Sequence, residues 1–337
     1  MIPNNPHVRI PKTSTRDDVH HEPVLNGPKR HHFVPRFYLK GFCRDELLSV
    51  YDRKMHEFKS QKCEATAVIG QFYTFEDAEG RKRYDIEKMF SEIESKAVNI
   101  IEKLSRKQEI DEQERIDFAM FVAAMAFRTP DQIQSTQSSH SDFILWITKC
   151  LFRNIEHAKH TIRSYPGNAG KSEEEIQKQA EEISDLIKND DIQVTTDHQW
   201  AMATSLNMMK VIPAVLLDRN WIILHSDNPK RSFITSDSPV VLTTLMPRPN
   251  SFGGIGYANA DALVMFPLTQ NSAILMLDHG GKVIHLESNE DRMREFNRYI
   301  ADRCQRFLYA RDEALNRSLV DFLRLNEREW QPKITVS

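Results

Sequence analysis

Two adjacent imidazoles, His31 and His32, head the chemically densest stretch of the chain, Lys29-Arg30-His31-His32-Phe33-Val34-Pro35-Arg36-Phe37-Tyr38-Leu39-Lys40-Gly41-Phe42. Its fourteen residues hold two histidines, four basic side chains and four aromatics. An imidazole titrates near neutral pH and can act as general acid or base, while arginine and lysine hold phosphate or carboxylate oxygens. Pro35 suits the first position of a short helix and Gly41 the residue just past its end. Arg36 and Lys40, four apart, then share a face of that turn. His31 and His32 lie in the extended chain entering it, where neighbouring side chains diverge. For His32, a structural histidine fixed by Pro35 and the aromatics is as good a reading as a catalytic role.

Further candidates are polar residues lodged in apolar stripes. Residues 85–104 have helical periodicity, with Ile86, Met89, Phe90, Ile93, Ala97, Ile100, Ile101 and Leu104 on one face and Glu94 among them. The helix opening at Asp111 and ending before Pro130 carries Phe118, Phe121, Val122 and Met125, and Arg128 continues that face. In a helix over residues 289–303, Asn297 falls in the stripe of Met293, Ile300 and Cys304. Burying such groups unpaired costs several kcal/mol, so partners are expected. Two arrangements satisfy them. Either Glu94 and Arg128 form a structural ion pair while Asn297 ties down backbone, or all three converge with His32 and Asp237 on one pocket. Asp237 follows an apolar strand at Phe233-Ile234-Thr235, and strand ends often present functional groups. Its bland alternative is an Asx-type turn before Pro239. His225 with Asp227 is a lesser pair, read as surface-loop residues.

The elements that must position these groups follow from pattern. Residues 47–52 read as a strand with a partner through Phe58, and Asp77-Ala78-Glu79-Gly80 as a hairpin turn. Helices are expected over 131–164, 172–188 (a solvated, charged face) and 197–217, the last bent at Pro213. Strands return at 221–225, 232–235, 240–242, 262–266, 273–277 and 307–309, with a loop at 247–256 and a final helix over 312–325. The fold class is α+β: a small mixed sheet from N- and C-terminal strands with a large helical middle. Residues 29–330 form one domain with a helical insertion at about 111–217, and residues 1–28 are a mobile arm.

Composition narrows the function. A net charge of -3 gives no global basic field for nucleic acid. No apolar run approaches the roughly 20 residues needed to span a bilayer, and no signal-peptide core opens the chain. The four cysteines, Cys43, Cys63, Cys150 and Cys304, show no CxxC spacing, so reduced thiols and a cytoplasmic setting are expected. Residues 165–172, Tyr165-Pro166-Gly167-Asn168-Ala169-Gly170-Lys171-Ser172, imitate a phosphate loop, but Tyr165 replaces the first glycine and a helix precedes the segment, so a helix–helix turn is expected. Neither HExxH nor GxSxG occurs.

The opening motif, residues 31–42, resembles the signature of the bacterial family called domain of unknown function 4238. Phe72-Tyr73-Thr74, the Glu94 helix, Arg128-Thr129-Pro130, Phe233-Ile234-Thr235-Ser236-Asp237-Ser238-Pro239 and Phe266-Pro267-Leu268 fit the same family in order, over about residues 29–312. The family implies no settled activity. The residues themselves motivate a hydrolase acting on a phosphate-bearing substrate, a nucleic acid or nucleotide, with a defence-associated role by analogy. In that reading His32 and Asp237 are catalytic with Arg128 and Glu94, Asp237 either orienting His32 or holding a divalent cation. His31, Arg36, Lys40 and Asn297 then bind substrate. The alternative is a non-catalytic binding module in which the His-aromatic motif is a structural clasp.

Overall fold

The structure, a computed structural model, describes residues 22–226, 228, 231–244 and 255–328. From the N-terminal side the elements are β1 (Arg30–His32), α1 (Arg36–Lys40), β2 (Leu47–Asp52), β3 (Glu57–Lys62), β4 (Val68–Gly70), β5 (Phe75–Glu76) and β6 (Lys82–Arg83). Six helices follow: α2 (Asp85–Ser105), α3 (Glu112–Phe127), α4 (Pro130–Leu151), α5 (Ile155–Ser164), α6 (Glu173–Lys188) and α7 (His198–Asp218). The chain returns through β7 (Arg219–His225), β8 (Thr235–Ser236), β9 (Val241–Thr244), β10 (Ala262–Thr269), β11 (Ser272–His279) and β12 (Val283–Glu287). It finishes with α8 (Glu290–Arg303), β13 (Phe307–Ala310) and α9 (Glu313–Leu323).

The fold is α+β, with a mixed sheet in the order β12-β7-β11-β10-β9 and a second in the order β3-β2-β13-β8. The first is antiparallel except where β12 runs parallel to β7. The second joins the N-terminal hairpin β2–β3 to the C-terminal strand β13, with Val50 opposite Tyr309. Strand β10 is apolar and buried along nearly its whole length, as a strand covered on both faces must be.

Helix α3 is the centre of the larger core. A capping box starts it, with Asp111 accepting from the Glu114 N–H while the Glu114 carboxylate accepts from the Asp111 N–H. The single stripe expected for it is too narrow: Ala119, Ala123 and Ala124 are buried along with Phe118, Phe121 and Val122, the mark of an enclosed helix. Phe118 meets Trp221 edge-on with ring centres 5.5 Å apart, and Phe121 meets Phe266 at 6.0 Å. A second core lies under the other sheet, where Tyr51, Phe233 and Leu308 pack with Ile300 of α8 and Val320 of α9.

The long helix expected over 131–164 is two helices. Its break falls at Asn154, whose side chain accepts from the His157 N–H and caps α5. Residues 166–168 form a short 3-10 turn between helices α5 and α6, not a phosphate loop. Helix α7 continues through Pro213. By length and composition alone α7 could cross a bilayer, which corrects the expectation that no stretch would qualify. Here it packs on α3 and α4 and buries Ala201, Met202, Met209, Ile212 and Leu216, as a core helix does.

Most of the N-terminal arm, residues 1–21, lies outside the described residues, as does most of the 247–256 loop. Residues 22–28 are non-repetitive chain tethered at Val24, whose carbonyl accepts from the Tyr84 N–H at 2.8 Å.

Candidate functional site

The signature stretch folds as an anchor. Tyr38 of α1 is buried, stacks on Phe266 and donates its hydroxyl proton to the Pro267 carbonyl at 2.8 Å. The same hydroxyl lies 2.8 Å from Thr235 Oγ1, so one side chain touches both large sheets. His31 is fully buried. Its Nδ1 accepts from the Tyr73 N–H at 2.9 Å, which places the proton on Nε2, and that N–H donates to the Pro28 carbonyl at 2.8 Å. Burial lowers its pKa, and the ring stacks on Tyr73. Both ring nitrogens are thus engaged within the fold.

Extended geometry turns His32 the other way. Its backbone carbonyl accepts from Arg128 Nη2 at 2.5 Å. Its ring is half-buried, burial lowers its pKa, and Nε2 is enclosed with no hydrogen-bond partner among the described residues. Arg128 ends α3, is 2% exposed, and donates through Nη1 to Glu94 Oε1 at 2.6 Å. Its guanidinium lies 4.1 Å from the centre of the Phe90 ring, and its carbonyl accepts from the Tyr73 hydroxyl at 2.7 Å. The structural Glu94–Arg128 ion pair is thus present, with His32 joined to it through backbone.

Glu87, two turns before Glu94 on α2, belongs to the same electrostatic cluster and was not signalled by the stripe, because it borders the solvated Lys88. Burial, reinforced by the Glu94 charge, pushes its carboxyl up to about 7, and Oε2 is enclosed without a hydrogen-bond partner among the described residues. The folded state therefore holds a proton that the unfolded chain gives up near pH 4.5, so this group costs stability increasingly from about pH 4.5 to 7 and fully above. Glu87→Gln should raise the melting temperature relative to the parent at pH 8, and the gain should shrink toward pH 4. A difference that is flat across thermal melts from pH 4 to 8 would contradict this.

Asp237 is elsewhere engaged. Oδ1 accepts from the Gln305 N–H at 2.9 Å, and Oδ2 from the Arg306 and Phe307 N–H groups at 2.7 and 3.0 Å. It ties the end of β8 to the turn entering β13, a long-range version of the backbone-bonding role that an Asx turn plays locally. Neither oxygen is left to orient His32, and among the described residues no three His, Cys, Asp or Glu side chains form a metal-binding set. Asn297 accepts from the Ile234 N–H at 3.1 Å and donates to the Ser232 carbonyl at 2.9 Å, so it ties down backbone. Arg36 is exposed and pairs loosely with Glu64 at 3.7 Å. Lys40 is exposed beside a shallow groove with Phe37 and Gly41. The expected convergence of His32, Glu94, Arg128, Asp237 and Asn297 on one pocket does not occur; the first three meet, and the other two hold separate stretches of backbone.

An open cleft of about 410 Å³ lies next to this framework. Its floor is the β3-β2-β13 sheet at Val50, Lys59, Gln61, Phe307 and Tyr309, and its walls are Phe33 with residues 65–69 and the amino end of α4 at Pro130, Asp131 and Gln134. Asp237 and Ser238 close one end, where the Ser238 hydroxyl donates to Asp131 Oδ2 at 3.3 Å. Arg306 lines the cleft but is held by Asp52 through two bonds of 2.9 and 2.8 Å. Lys59 makes no ion pair among the described residues and lies 5.8 Å from the centre of the Phe307 ring. Tyr309 is one of the residues lining the cleft, and its hydroxyl is enclosed with no hydrogen-bond partner among the described residues. Burial, with the Asp237 charge adding, drives its pKa well above the usual tyrosine range, so it stays a protonated donor.

A family model described as a protein of unknown function (DUF4238) matches residues 30–314. The chain belongs to this family. No similarity to a curated protein or to a solved structure was found. The DUF4238 region runs from the strand that bears His31 to the first turn of α9, so it includes every wall of the cleft. In this DUF4238 chain the motif residues Tyr38, His31, Arg128 and Asp237 are all spent on intramolecular bonds. Tyr309 and Gln61, which line the cleft, come from elements that no motif marks, whereas Asp131 directly follows the Arg128-Thr129-Pro130 motif.

Proposed function

We propose that this DUF4238 protein binds a small molecule in the cleft between the β3-β2-β13 sheet and the amino end of α4, and that the His-aromatic signature is a clasp that builds the cleft. We place it in the cytoplasm of a bacterium, a setting that accords with four cysteines of which none is in a disulfide. The observation that carries the reading is the Tyr309 hydroxyl. A buried donor without an acceptor costs about 1–3 kcal/mol, and a ligand oxygen or nitrogen placed in the cleft would remove that cost. The ligand so described has an acceptor for Tyr309 and an apolar part for Phe33, Val50 and Val68. The clasp sets both walls: His31 and Arg128 fix the strand that leads into Phe33, and Arg128 ends the helix that leads into Pro130 and Asp131.

Hydrolysis of a phosphate-bearing substrate in the same cleft is a second reading, favoured by Lys59, whose ammonium has no carboxylate partner among the described residues. One experiment separates the two. A thermal-shift screen of small polar compounds, nucleotides and phosphate esters included, should give ligands whose binding weakens about tenfold in Tyr309→Phe, while the unliganded variant melts above the parent because it has lost the unsatisfied hydroxyl. Ligands that bind the variant as tightly as the parent would sink the Tyr309 reading. Release of phosphate from a ligand, lost in a folded His32→Ala variant, would establish the hydrolase instead.

A further inference from the structure

Cys43 and Cys63 stand 20 positions apart in sequence on separate elements, yet their sulfur atoms lie 2.8 Å apart. Cys43 follows α1, and Cys63 opens a 3-10 turn (Cys63–Ala65) that packs against α1. Bringing the sulfurs to the roughly 2.05 Å of a disulfide needs a movement of less than about 1 Å. Cys43 is half-buried, which leaves the pair reachable by a small oxidant, whereas Cys63 is 2% exposed. The two sulfurs share a hydrogen bond in which either can donate, and that contact lowers the Cys63 pKa. No local spacing marks the pair, since neither residue lies in a CxxC motif.

We propose that Cys43 and Cys63 are a peroxide-sensitive thiol pair that closes reversibly to an intramolecular disulfide. One sulfur, as thiolate, attacks the O–O bond of hydrogen peroxide; the bond breaks, the sulfur becomes sulfenic acid, and the departing hydroxide takes a proton to become water. The second sulfur then displaces the sulfenic hydroxyl as the S–S bond forms and the S–O bond breaks. Its proton leaves with that hydroxyl as a second water. Two thiols are oxidised and one peroxide is reduced. A disulfide here joins the end of α1 to the 3-10 turn whose continuation, residues 65–67, walls the cleft. Oxidation thus stiffens that wall, whatever the cleft binds.

The test uses the full chain carrying Cys150→Ser, which removes the exposed thiol on α4 and so suppresses intermolecular bridges. The reduced protein is treated with hydrogen peroxide, unfolded, alkylated and analysed by mass spectrometry. The expected result is a loss of about 2 Da that dithiothreitol reverses, in a peptide linking Cys43 to Cys63. The oxidised form should melt about 5 °C higher, as expected for closing a loop of this length. Adding Cys63→Ser should abolish the 2 Da loss. The proposal is overturned if both cysteines alkylate fully at peroxide levels that oxidise Cys150 in the parent chain, or if one of them goes on to sulfinic acid without a cross-link. Because the readout is covalent, it stands or falls independently of ligand binding at Tyr309.

Discussion

Arg128→Met should destabilise the protein by about 3 kcal/mol, enough to show as a large fall in the urea midpoint. The substitution keeps most of the side chain's length and leaves apolar contact with Phe90 and Tyr73. What it removes is the positive charge between Glu94 Oε1 and the His32 carbonyl, at 2.6 and 2.5 Å. Breaking one partner of an enclosed pair is worse than deleting both, because the remaining carboxylate stays partly desolvated. Glu94 is 24% exposed, so water recovers part of the loss, which is why the lower end of the range for buried pairs applies. A double-mutant cycle with Glu94→Gln gives a second check: the double variant should be more stable than the sum of the two single losses implies. A loss below about 1 kcal/mol for Arg128→Met would show that the pair is ornamental and that the clasp rests on His31 alone.

Much of this framework was legible beforehand, for one physical reason. A charged or amide side chain in an apolar stripe must find a partner, so Glu94, Arg128 and Asn297 announced themselves by their neighbours. Both halves of the structural reading, the Glu94–Arg128 pair and Asn297 on backbone, are what the chain uses. The sequence could not assign the two histidines, because alternation in extended chain places one inward and one outward without saying which. The inward face belongs to His31 only because Pro28 and the Tyr73 amide happen to flank it. The cleft was invisible for a different reason. Its floor depends on β2 pairing with β13, where Val50 faces Tyr309 across most of the chain's length, and no local periodicity encodes such a pairing. The proximity of Cys43 to Cys63 has the same origin, the packing of two short elements. Glu87 escaped because it sits at the edge of the stripe, where a carboxylate normally reaches water.

Asp237→Asn tests the other structural assignment, and its cost should be about 2–3 kcal/mol. Three backbone N–H groups, from Gln305, Arg306 and Phe307, converge on the carboxylate. Asparagine offers a single oxygen, so its amide must point N–H at one or two of these donors and leave them without an acceptor. The loss should be local as well as global: hydrogen exchange at the amides of residues 305–307 should speed up more than at the rest of β13. The lost charge matters further, since the turn it holds also orients Arg306 toward Asp52. Divalent cations discriminate this assignment from a metal role. Magnesium or manganese should leave the melting temperature of the parent unchanged, because the carboxylate oxygens already face amide protons. A cation-dependent stabilisation of the parent that disappears in Asp237→Asn would show that the amides release the carboxylate to a metal, and Asp237 would return to the catalytic role that its place at a strand end first suggested.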